Sequence, residues 1–560
     1  MATVSSTTST TTTASSYTYS SSTDIDWSAL VEVAVAAKTA PADAIDVKIA
    51  ANEVKIAAYE EMQSLLQAIT SAADAMRGTT NSIVTKDDVF SLREAYLTSS
   101  SSSVTASSAV VVTAENGAQT GTYDLQILQL ATTQKVASSD FSSRSSDLEL
   151  SGTFSIGLEG MESVEITVTE DMSLSEIASA INAESATTGV QASVVKVTES
   201  TYRLVLSGTE TGKEISLESI SGDDIGQALG LTDSDGAFAS EIQAAKQAII
   251  SLDGIEITRS TNTIDDVLDG ISFTIYQTTG TTASISVEIA NDLTSIKDAI
   301  VALVDAYNAY REWALTQQAV SSSGGASADA TLFGDSTLRS ANNAVASALS
   351  TMIDSSSMAL LGLSYDTSNY LVLNETTLNS VLLNDLDALE NILMFQFESS
   401  SEDLVLLSRN SSMPSELTLD IQVDSDGNLT GVSVNGDASL FTVADTRIKG
   451  AEGTIYEGMT LVFTGSTSQT VTIQTSSGIV EKLYNSVDLY SNSSSGLVSG
   501  LIDNLTEKNE DYSTRAADIR SRAETYRTNL TNRYASYQAA IEAANSTLLY
   551  LEALLNSGDN

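Results

Sequence analysis

The side chains that could carry out chemistry in this sequence are mainly carboxylates, because its 560 residues include no Cys and no His. This excludes Cys and His nucleophiles, Ser/His/Asp triads and the usual zinc ligands. Pairs of acids remain, such as Asp265 and Asp266, and glycosidases use such pairs. They are expected by chance among 73 acidic residues, and the two Trp residues that could line a sugar cleft fall in predicted helices. We therefore predict no catalytic residues and no enzyme activity.

Two segments match ligand-binding motifs only in part. The segment 424–428, with the sequence DSDGN, has Gly at the fourth position rather than the sixth, and no Glu stands at the twelfth position. It therefore predicts a hairpin turn and not a calcium loop. The segment 209–213, TETGK, lacks the first Gly of a phosphate-binding loop and opens no helix, so it also predicts a turn. We expect no metal site and no cofactor.

The charge balance restricts the possible partners. The net charge of −47 would repel nucleic-acid phosphates and anionic membrane surfaces, so neither is expected as a partner. No apolar run reaches the length of a membrane span. Residues 1–23 are rich in Ser and Thr and carry no charged side chain, which predicts a disordered tail and does not fit a cleavable secretory signal.

Apolar patterns near the two ends of the sequence predict two long helices. From Leu501 to Leu555 there is no Pro or Gly, and apolar residues recur at spacings of four and three, with one extra four-residue step between Leu530 and Tyr534. This pattern predicts a heptad seam with one stutter. A helix of this length needs an equally long partner to cover its seam.

The partner is predicted near the other end of the chain. After a short helix over 24–37, Pro41 predicts a break and the start of a second helix that ends at Gly78. Its apolar stripe is interrupted by Asn52, which either fixes the register or lies at a solvated edge. The basic stretch 515–533 could lie against the acidic stretch 41–77, with weak exposed ion pairs that set orientation.

We predict that these two helices form an assembly interface, in which the arginines point toward an acidic partner surface. Its residues are Ile45, Ile49, Ile56, Tyr59, Leu66, Arg520, Arg522, Arg527, Leu530, Tyr534, Ile541 and Leu548.

The fold class expected from these patterns is α+β, with long N- and C-terminal helices that form a coiled-coil-like stalk or leg bundle and with inserted β-rich head domains. Alternating apolar residues indicate strands between the helical segments, and Ser173-Leu-Ser-Glu176 predicts a capping box at the start of a helix in the head. The predicted domains are a disordered tail (1–23), an N-terminal helical leg and stalk (24–98), a β-rich α+β head of two subdomains (99–290), a returning helical stalk (291–400), an additional β-rich segment (401–495) and a C-terminal heptad helix (496–560).

The order of these parts, together with short motifs along residues 24–397, resembles the flagellar hook-associated protein 2 family, the filament-capping proteins. In the head, the motifs are Gly121-Thr-Tyr123-Asp-Leu125, the segment 174–182 (LSEIASAIN) and the segment 202–207 (YRLVLS). Further along, Tyr307-Asn308, the segment 334–339 (GDSTLR) and Leu361-Gly362-Leu363 continue the same order. The tail and the segment 416–474 do not match the common core of the family.

The resemblance implies a structural assembly factor of the bacterial flagellum. A ring homo-oligomer at the filament tip would promote folding and insertion of flagellin subunits. The resemblance also implies contact with the hook-associated junction protein, type III flagellar export without a cleavable signal, and a cytoplasmic export chaperone at the C-terminal helix. Two alternatives remain open at this point: a flagellin-like or hook-filament junction protein, and an extracellular adhesin whose head domains bind a surface.

Overall fold

The structure is a computed structural model, and it describes residues 26–78, 88–353, 355–410 and 413–557. The predicted tail, 1–23, lies outside these ranges. The α+β class with long terminal helices is confirmed. The helices are α1 (Trp27–Asp74), α2 (Ala106–Ala109), α3 (Leu174–Ala183), α4 (Ser185–Thr188), α5 (Ile225–Ala228), α6 (Leu293–Gln317), α7 (Ser336–Leu349), α8 (Glu375–Asn384), α9 (Leu386–Leu393), α10 (Ile479–Ser491) and α11 (Leu497–Ser557).

Helix α1 runs without interruption through Pro41, so the predicted break at this residue is wrong. A Pro in a helix interior removes one backbone hydrogen bond and its ring crowds the preceding turn, at a cost of about 3 kcal/mol. Here the Pro41 ring is exposed, while Val35 before it and Ala42 after it are buried. Packing on both sides of the proline therefore holds the helix continuous. The side chain of Asp26 caps its start by accepting from the backbone N of Ala29 at 3.0 Å.

The helical stalk has one hydrophobic core. The second half of α1 contributes the apolar stripe predicted from the sequence, with Met62, Leu66 and Ile69 fully buried. Helices α6 to α10 and the first turn of α11 pack around it, because each presents an apolar face to the same centre. The returning stalk segment and α1 therefore form one bundle.

The described residues between α1 and α6 form four sheets, which make up the head. Its strands are β1 (Arg93–Ser99), β2 (Val110–Ala114), β3 (Gly121–Gln129), β4 (Lys135–Ala137), β5 (Gly152–Leu158), β6 (Val164–Val168), β7 (Val190–Lys196), β8 (Tyr202–Gly208), β9 (Ile215–Gly222), β10 (Glu241–Gln243), β11 (Ala248–Leu252), β12 (Ile255–Arg259), β13 (Thr263–Leu268), β14 (Ile271–Ile275) and β15 (Ile285–Asn291).

These strands enclose two separate cores. The first lies between the sheet β1-β15-β3-β11-β12 and the sheet β13-β14-β2. The second lies between β10-β4-β8-β7 and β6-β5-β9, with α3 packed on it. Helix α3 starts at the predicted capping box, in which Ser173 N donates to Glu176 Oε2 at 2.8 Å and Ser173 Oγ accepts from Glu176 N. The first and last strands of the head, β1 and β15, pair antiparallel, so the chain enters and leaves the head side by side.

A second β module follows the stalk helices. After the hairpin of β16 (Leu363–Tyr365) and β17 (Leu371–Leu373), its strands are β18 (Phe395–Ser399), β19 (Leu404–Ser408), β20 (Glu416–Val423), β21 (Leu429–Ser433), β22 (Phe441–Ala444), β23 (Arg447–Gly450), β24 (Thr460–Phe463) and β25 (Gln469–Ser477).

The second β module consists of two four-stranded sheets, β18-β25-β20-β21 and β19-β24-β23-β22, that face each other across one core. The segment 424–428 is the predicted hairpin turn between β20 and β21. Asp424 Oδ1 accepts from the backbone N of Asp426 and of Asn428, each at 2.9 Å. Gly427 takes φ +85°, a conformation that favours Gly. The domain limits proposed above stay a prediction. Within the described ranges, no helix has the length and apolar content that a membrane span requires.

Candidate assembly interface

The pairing of α1 with α11 brings the two ends of the chain together. Near the start of α1, Val31 and Val35 are buried against Ala523 and Leu530 of α11. The spacings of four and seven residues place each pair on one helix face. The Trp27 ring lies 5.0 Å, between centroids, from the ring of Tyr534, at the last point where α1 covers α11. The long seam predicted from the C-terminal sequence is therefore partly covered within the chain.

Asn52 lies inside the α1–α11 contact and forms a specific polar pair. Its Nδ2 donates to Asn509 Oδ1 at 2.8 Å, and the pair is partly buried. Of the two interpretations left open by the sequence, the register-fixing one is favoured, because a slip of either helix would leave both amides without this partner.

Exposed ion pairs follow the same contact. The charge pattern predicted the partners of Arg520, which lie within 41–77, but not the partner of Arg527, which is Glu32 and precedes that stretch. The Arg520 guanidinium binds Asp46 and lies 3.3 Å from Asp43. Arg527 binds Glu32, with Nη2 donating to Oε2 at 3.0 Å. This hydrogen bond lowers the pKa of Glu32 below its usual range. Because these groups face solvent, each pair contributes about 0–1 kcal/mol and mainly sets the alignment of the helices.

A deeper ionic cluster joins the stalk to the second β module. The Glu481 carboxylate in the first turn of α10 accepts from Arg77 Nε at 2.7 Å and from Arg409 Nη2 at 2.9 Å. Asn485 Nδ2 donates to its other oxygen at 2.9 Å. The side chains of Glu481 and Arg409 are each only 4% exposed. We call Arg77, Arg409 and Glu481 the buried triad.

Aromatic rings complete the surroundings of the buried triad. The Arg77 guanidinium lies 3.6 Å from the centroid of the Tyr484 ring, and that of Arg409 lies 4.4 Å from the Phe395 ring. Cation–π contacts of this kind offset part of the cost of removing the cations from water. Sequence reasoning missed this cluster, since its members lie in three distant segments, and no local spacing connects them.

The other predicted interface residues fall into three groups. Tyr59 and Leu66 are buried in the core of the stalk, and Tyr59 Oη donates to Asp335 Oδ2, at the N-cap of α7, at 2.7 Å. A half-buried group lies along the two helices, with Ile45, Ile49, Ile56 and Tyr534 on the stretch where they pair and Ile541 beyond it. Arg522 and Leu548 are exposed. A role of the predicted set in contacts between subunits stays a prediction.

The end of α11 extends past the start of α1 as the structure describes it. Leu548 is 58% exposed, and the nearby apolar side chains of Leu549, Tyr550, Leu551 and Leu554 are exposed as well. The structure therefore covers the seam as far as Tyr534 and leaves the last turns of the helix uncovered by α1. Among the described residues, no group of three acidic side chains is placed to hold a metal ion.

Comparison with known protein families gives matches over most of the chain. Residues 245–546 match the family described as the C-terminus of flagellar hook-associated protein 2, and residues 23–134 match its N-terminus. Residues 148–210 match the flagellin hook IN motif. The C-terminal match includes the second β module in its range, which sequence reasoning had not assigned to the family.

Individual relatives agree with these matches. The chain is 29% identical over 293 residues to the B-type flagellar hook-associated protein 2 of Pseudomonas aeruginosa. This alignment covers 49% of the chain and 61% of the relative. The chain is also 28% identical over 360 residues to flagellar hook-associated protein 2 of Escherichia coli K12. That alignment covers 62% of the chain and 73% of the relative. The chain thus spans less than two thirds of the length of the first of these relatives.

Solved structures of flagellar cap proteins are also similar. The D1, D2 and D3 domains of the flagellar cap protein from Escherichia coli match with 25% identity and a TM-score of 0.46, over 60% of this chain and 90% of that one. The protein from Pseudomonas aeruginosa PAO1 matches with 28% identity and a TM-score of 0.33, over 38% of this chain and 98% of that one.

Proposed function

The chain belongs to the flagellar hook-associated protein 2 family, and from this premise we propose that it is a structural assembly factor, without enzyme activity, that caps the bacterial flagellar filament. In this role it promotes the folding and insertion of flagellin subunits at the growing tip. The single observation that carries the proposal is that the two family matches contain the two helices that pair with each other, α1 and nearly all of α11. The β-rich head is inserted between them.

We propose the partners and location that such a role requires. The chain forms a ring homo-oligomer through its head and acts outside the cell at the filament tip. It contacts flagellin and the hook-associated junction protein, and it leaves the cell by type III flagellar export. Before export, a cytoplasmic chaperone binds the C-terminal helix. The exposed apolar end of α11 supports the last point, because uncovered apolar surface is a common docking feature.

Deletion of the gene tests the proposal. We expect short or absent filaments, release of flagellin monomer into the medium, and filament tips that lack a cap in electron micrographs. Full-length filaments together with a loss of surface attachment would favour the adhesin instead. A purified chain that polymerises into long filaments, and does not stop at a closed ring, would favour the flagellin-like alternative.

A charge reversal tests the predicted role of the arginine stretch. Arg520 and Arg527 already bind acids of α1, so reversing them would also disturb the helix pair. Arg522 is exposed on the same helix, and Arg522→Glu changes the surface alone. We expect reduced capping and more flagellin in the medium, whereas Arg447→Glu, on the exposed surface of the second β module, serves as the matched control. Normal filament growth with Arg522→Glu would show that Arg522 is only a solvated residue.

A further inference from the structure

Helix α1 carries a second heptad pattern on the side that faces away from α11. Its residues recur at spacings of three and four over 30–54, which places them on one face of the helix. None of them is charged and all are exposed, with Val33 at 71% and Val47 at 70%. We call this set the outer seam, and its members are Leu30, Val33, Ala37, Ala40, Ala44, Val47, Ala51 and Val54.

The outer seam lies opposite the contact between α1 and α11. Val31 and Val35 are buried against α11, and Val33 is two residues from each of them. Two residues at about 100° each amount to roughly half a turn of helix, so Val33 lies on the other side of α1. The same holds for Val47, which precedes the half-buried Ile49 by two residues. Helix α11 therefore cannot cover the outer seam of its own chain.

Helix propensity does not account for the outer seam. Alanine is the best helix former and suits exposed positions, but valine is β-branched and loses rotamer freedom in a helix. Val33, Val47 and Val54 are each more than half exposed, at 71%, 70% and 56%. The outer face of a paired helix ordinarily carries polar side chains. An exposed apolar face of this kind indicates a surface that another polypeptide covers.

A second uncovered seam lies at the end of α11. Past Tyr534, where cover by α1 ends, apolar residues continue at spacings of four and three. The exposed fractions of Tyr537, Leu548 and Leu551 are 51%, 58% and 50%. At 1.5 Å per residue this seam is about 21 Å long and the outer seam about 36 Å, so the shorter fits on the longer. We call it the end seam, and its members are Tyr537, Ile541, Ala544, Leu548 and Leu551.

The two seams are complementary in the size of their side chains. The outer seam consists mainly of alanine and valine, which leaves room between small side chains, whereas the end seam offers Tyr537, Ile541 and Leu548 as large ones. Large side chains of one helix can then insert between small ones of the other, as knobs into holes. Two outer seams would place small residues against small residues and bury less apolar area. The end seam is therefore the better-matched partner.

The charges beside the two seams are complementary as well. Lys48 and Lys55 flank the outer seam, and neither forms an ion pair with the residues that the structure describes. Residues 534–554 include Glu542 and Glu552 and no Lys or Arg. Exposed pairs between these groups would set the orientation of the contact more than its affinity.

We propose that the end seam of one copy of this chain packs on the outer seam of another copy. Within one chain the two seams cannot meet, because Asn52 pairs with Asn509 in an antiparallel register. This register separates Ala44, near the middle of the outer seam, from Ala544, in the middle of the end seam, by about 40 Å of helix.

Each copy in this contact gives one seam and receives the other. A heterologous contact of this kind closes into a ring or extends as a filament. The proposal rests on the homo-oligomer proposed above and adds to it a contact between the terminal helices of neighbouring copies.

Crosslinking tests the contact directly, because the chain has no Cys of its own. The full chain with both Ala44→Cys and Ala544→Cys would be treated with a short bismaleimide crosslinker, which cannot join the two positions within one copy. We expect a ladder of covalent dimers and larger oligomers, since each copy carries both partners, and little crosslinking in either single variant. Glu53→Cys together with Ala544→Cys is the matched control and should give little crosslinking, because Glu53 is exposed on α1 outside the outer seam.

A substitution then tests the assigned face of α1. In the chain with both cysteines, Val47→Asp should lower the initial rate of crosslinking about ten-fold, because it places a charge in an apolar contact. Its unfolding midpoint, measured at a concentration at which the chain is monomeric, should stay unchanged, since the Val47 side chain is 70% exposed. Val47→Leu keeps the face apolar and should retain the ladder.

Several results would overturn the proposal. Strong crosslinking of Ala44→Cys alone would show that outer seams pair with each other, and strong crosslinking of Ala544→Cys alone would show the same for end seams. An equal ladder in the Glu53→Cys control or in Val47→Asp would show that the outer seam is not the contact. A lower unfolding midpoint in Val47→Asp would mean that the outer seam is covered within the chain.

Sedimentation of the unchanged chain separates this proposal from the one on which it rests. An oligomeric chain that gives no ladder would contradict the contact between the seams alone. A chain that stays monomeric would contradict the homo-oligomer as well.

Discussion

Asn52 and Asn509 are 457 positions apart in the sequence, yet their side-chain amides form a hydrogen bond of 2.8 Å across the two terminal helices. A polar pair inside an otherwise apolar contact contributes to alignment more than to stability. The pair therefore gives the most direct test of how the two helices find their register.

Replacing Asn52 by Ala should lower the free energy of unfolding by about 1–3 kcal/mol, because the Asn509 amide is left partly buried without its partner. Changing both residues to Leu should restore stability while weakening the choice of register. Denaturant unfolding measures the first effect, and crosslinking between cysteines placed on α1 and α11 measures the second. Asn504→Ala, at an exposed position of α11, is the control. Equal stability of Asn52→Ala and the control would contradict the prediction.

Removing one charge from the buried triad should lower stability strongly. Glu481→Gln keeps the shape of the side chain but removes the carboxylate that the buried Arg77 and Arg409 share, although Asp74 still lies 3.2 Å from Arg77. Breaking a buried ion pair in this way costs about 3–5 kcal/mol. Denaturant unfolding measures the loss, with Glu507→Gln on the exposed face of α11 as the matched control. A loss no larger than that of the control would show that the cluster is better hydrated than its burial indicates.

Replacing Pro41 by Ala should increase the stability of the protein. Pro41→Ala would add an N–H group to the helix interior and remove the clash of the ring, while the unfolded chain would gain some freedom. The net gain should be about 1–2 kcal/mol, seen as a higher unfolding midpoint with unchanged or higher helix content by circular dichroism. A loss of stability would mean that a bend at Pro41 is needed for the fit of α1 on α11.

The Glu32–Arg527 pair predicts a small dependence of stability on pH. The pKa of Glu32 is lowered by its hydrogen bond to Arg527, from a reference value of 4.5. A lowered folded-state pKa means that the contribution is present above the unfolded-state pKa and is lost as pH falls through the folded-state pKa. Because the Glu32 side chain is 58% exposed and that of Arg527 is 33% exposed, solvent screens the pair, and the effect should stay below about 1 kcal/mol.

Unfolding of the unchanged chain and of Glu32→Gln at several pH values between 7 and about 3 would measure this contribution. The difference in stability between the two proteins should shrink as the pH falls below 4.5. The control is Glu53→Gln, at an exposed position of the same helix. A difference that stays constant over the whole range would contradict the assignment of the pH effect to Glu32.

A charged substitution in the seam of α11 should lower stability strongly where α1 covers the seam and only slightly near the end of the helix. Leu530→Asp places a charge in the buried cluster with Val31 and Val35 and should cost several kcal/mol, about 3–5. Leu548→Asp changes a side chain that is 58% exposed and should alter stability by about 0.5 kcal/mol or less. Thermal unfolding of both variants makes the comparison. A large loss in Leu548→Asp would show that the last turns of α11 are covered in solution.

Local sequence patterns were enough to predict the separate elements. The period of the apolar residues gave both terminal helices, since helix geometry places residues three and four apart on one face. The Ser173–Glu176 capping box and the Gly427 turn followed from hydrogen bonds within a few residues. The alternation in β3, β5 and β8 followed from strand geometry. Each of these depends on neighbours in the chain alone.

The tertiary structure decided which distant groups meet. The helix break predicted at Pro41 was wrong because packing of Val35 and Ala42 outweighs a local backbone preference of about 3 kcal/mol. Arg77, Arg409 and Glu481 are ordinary charged residues in the sequence, and only the meeting of stalk and second β module buries them together. Burial and low polarity result from the whole fold, so no local pattern in the sequence encodes them.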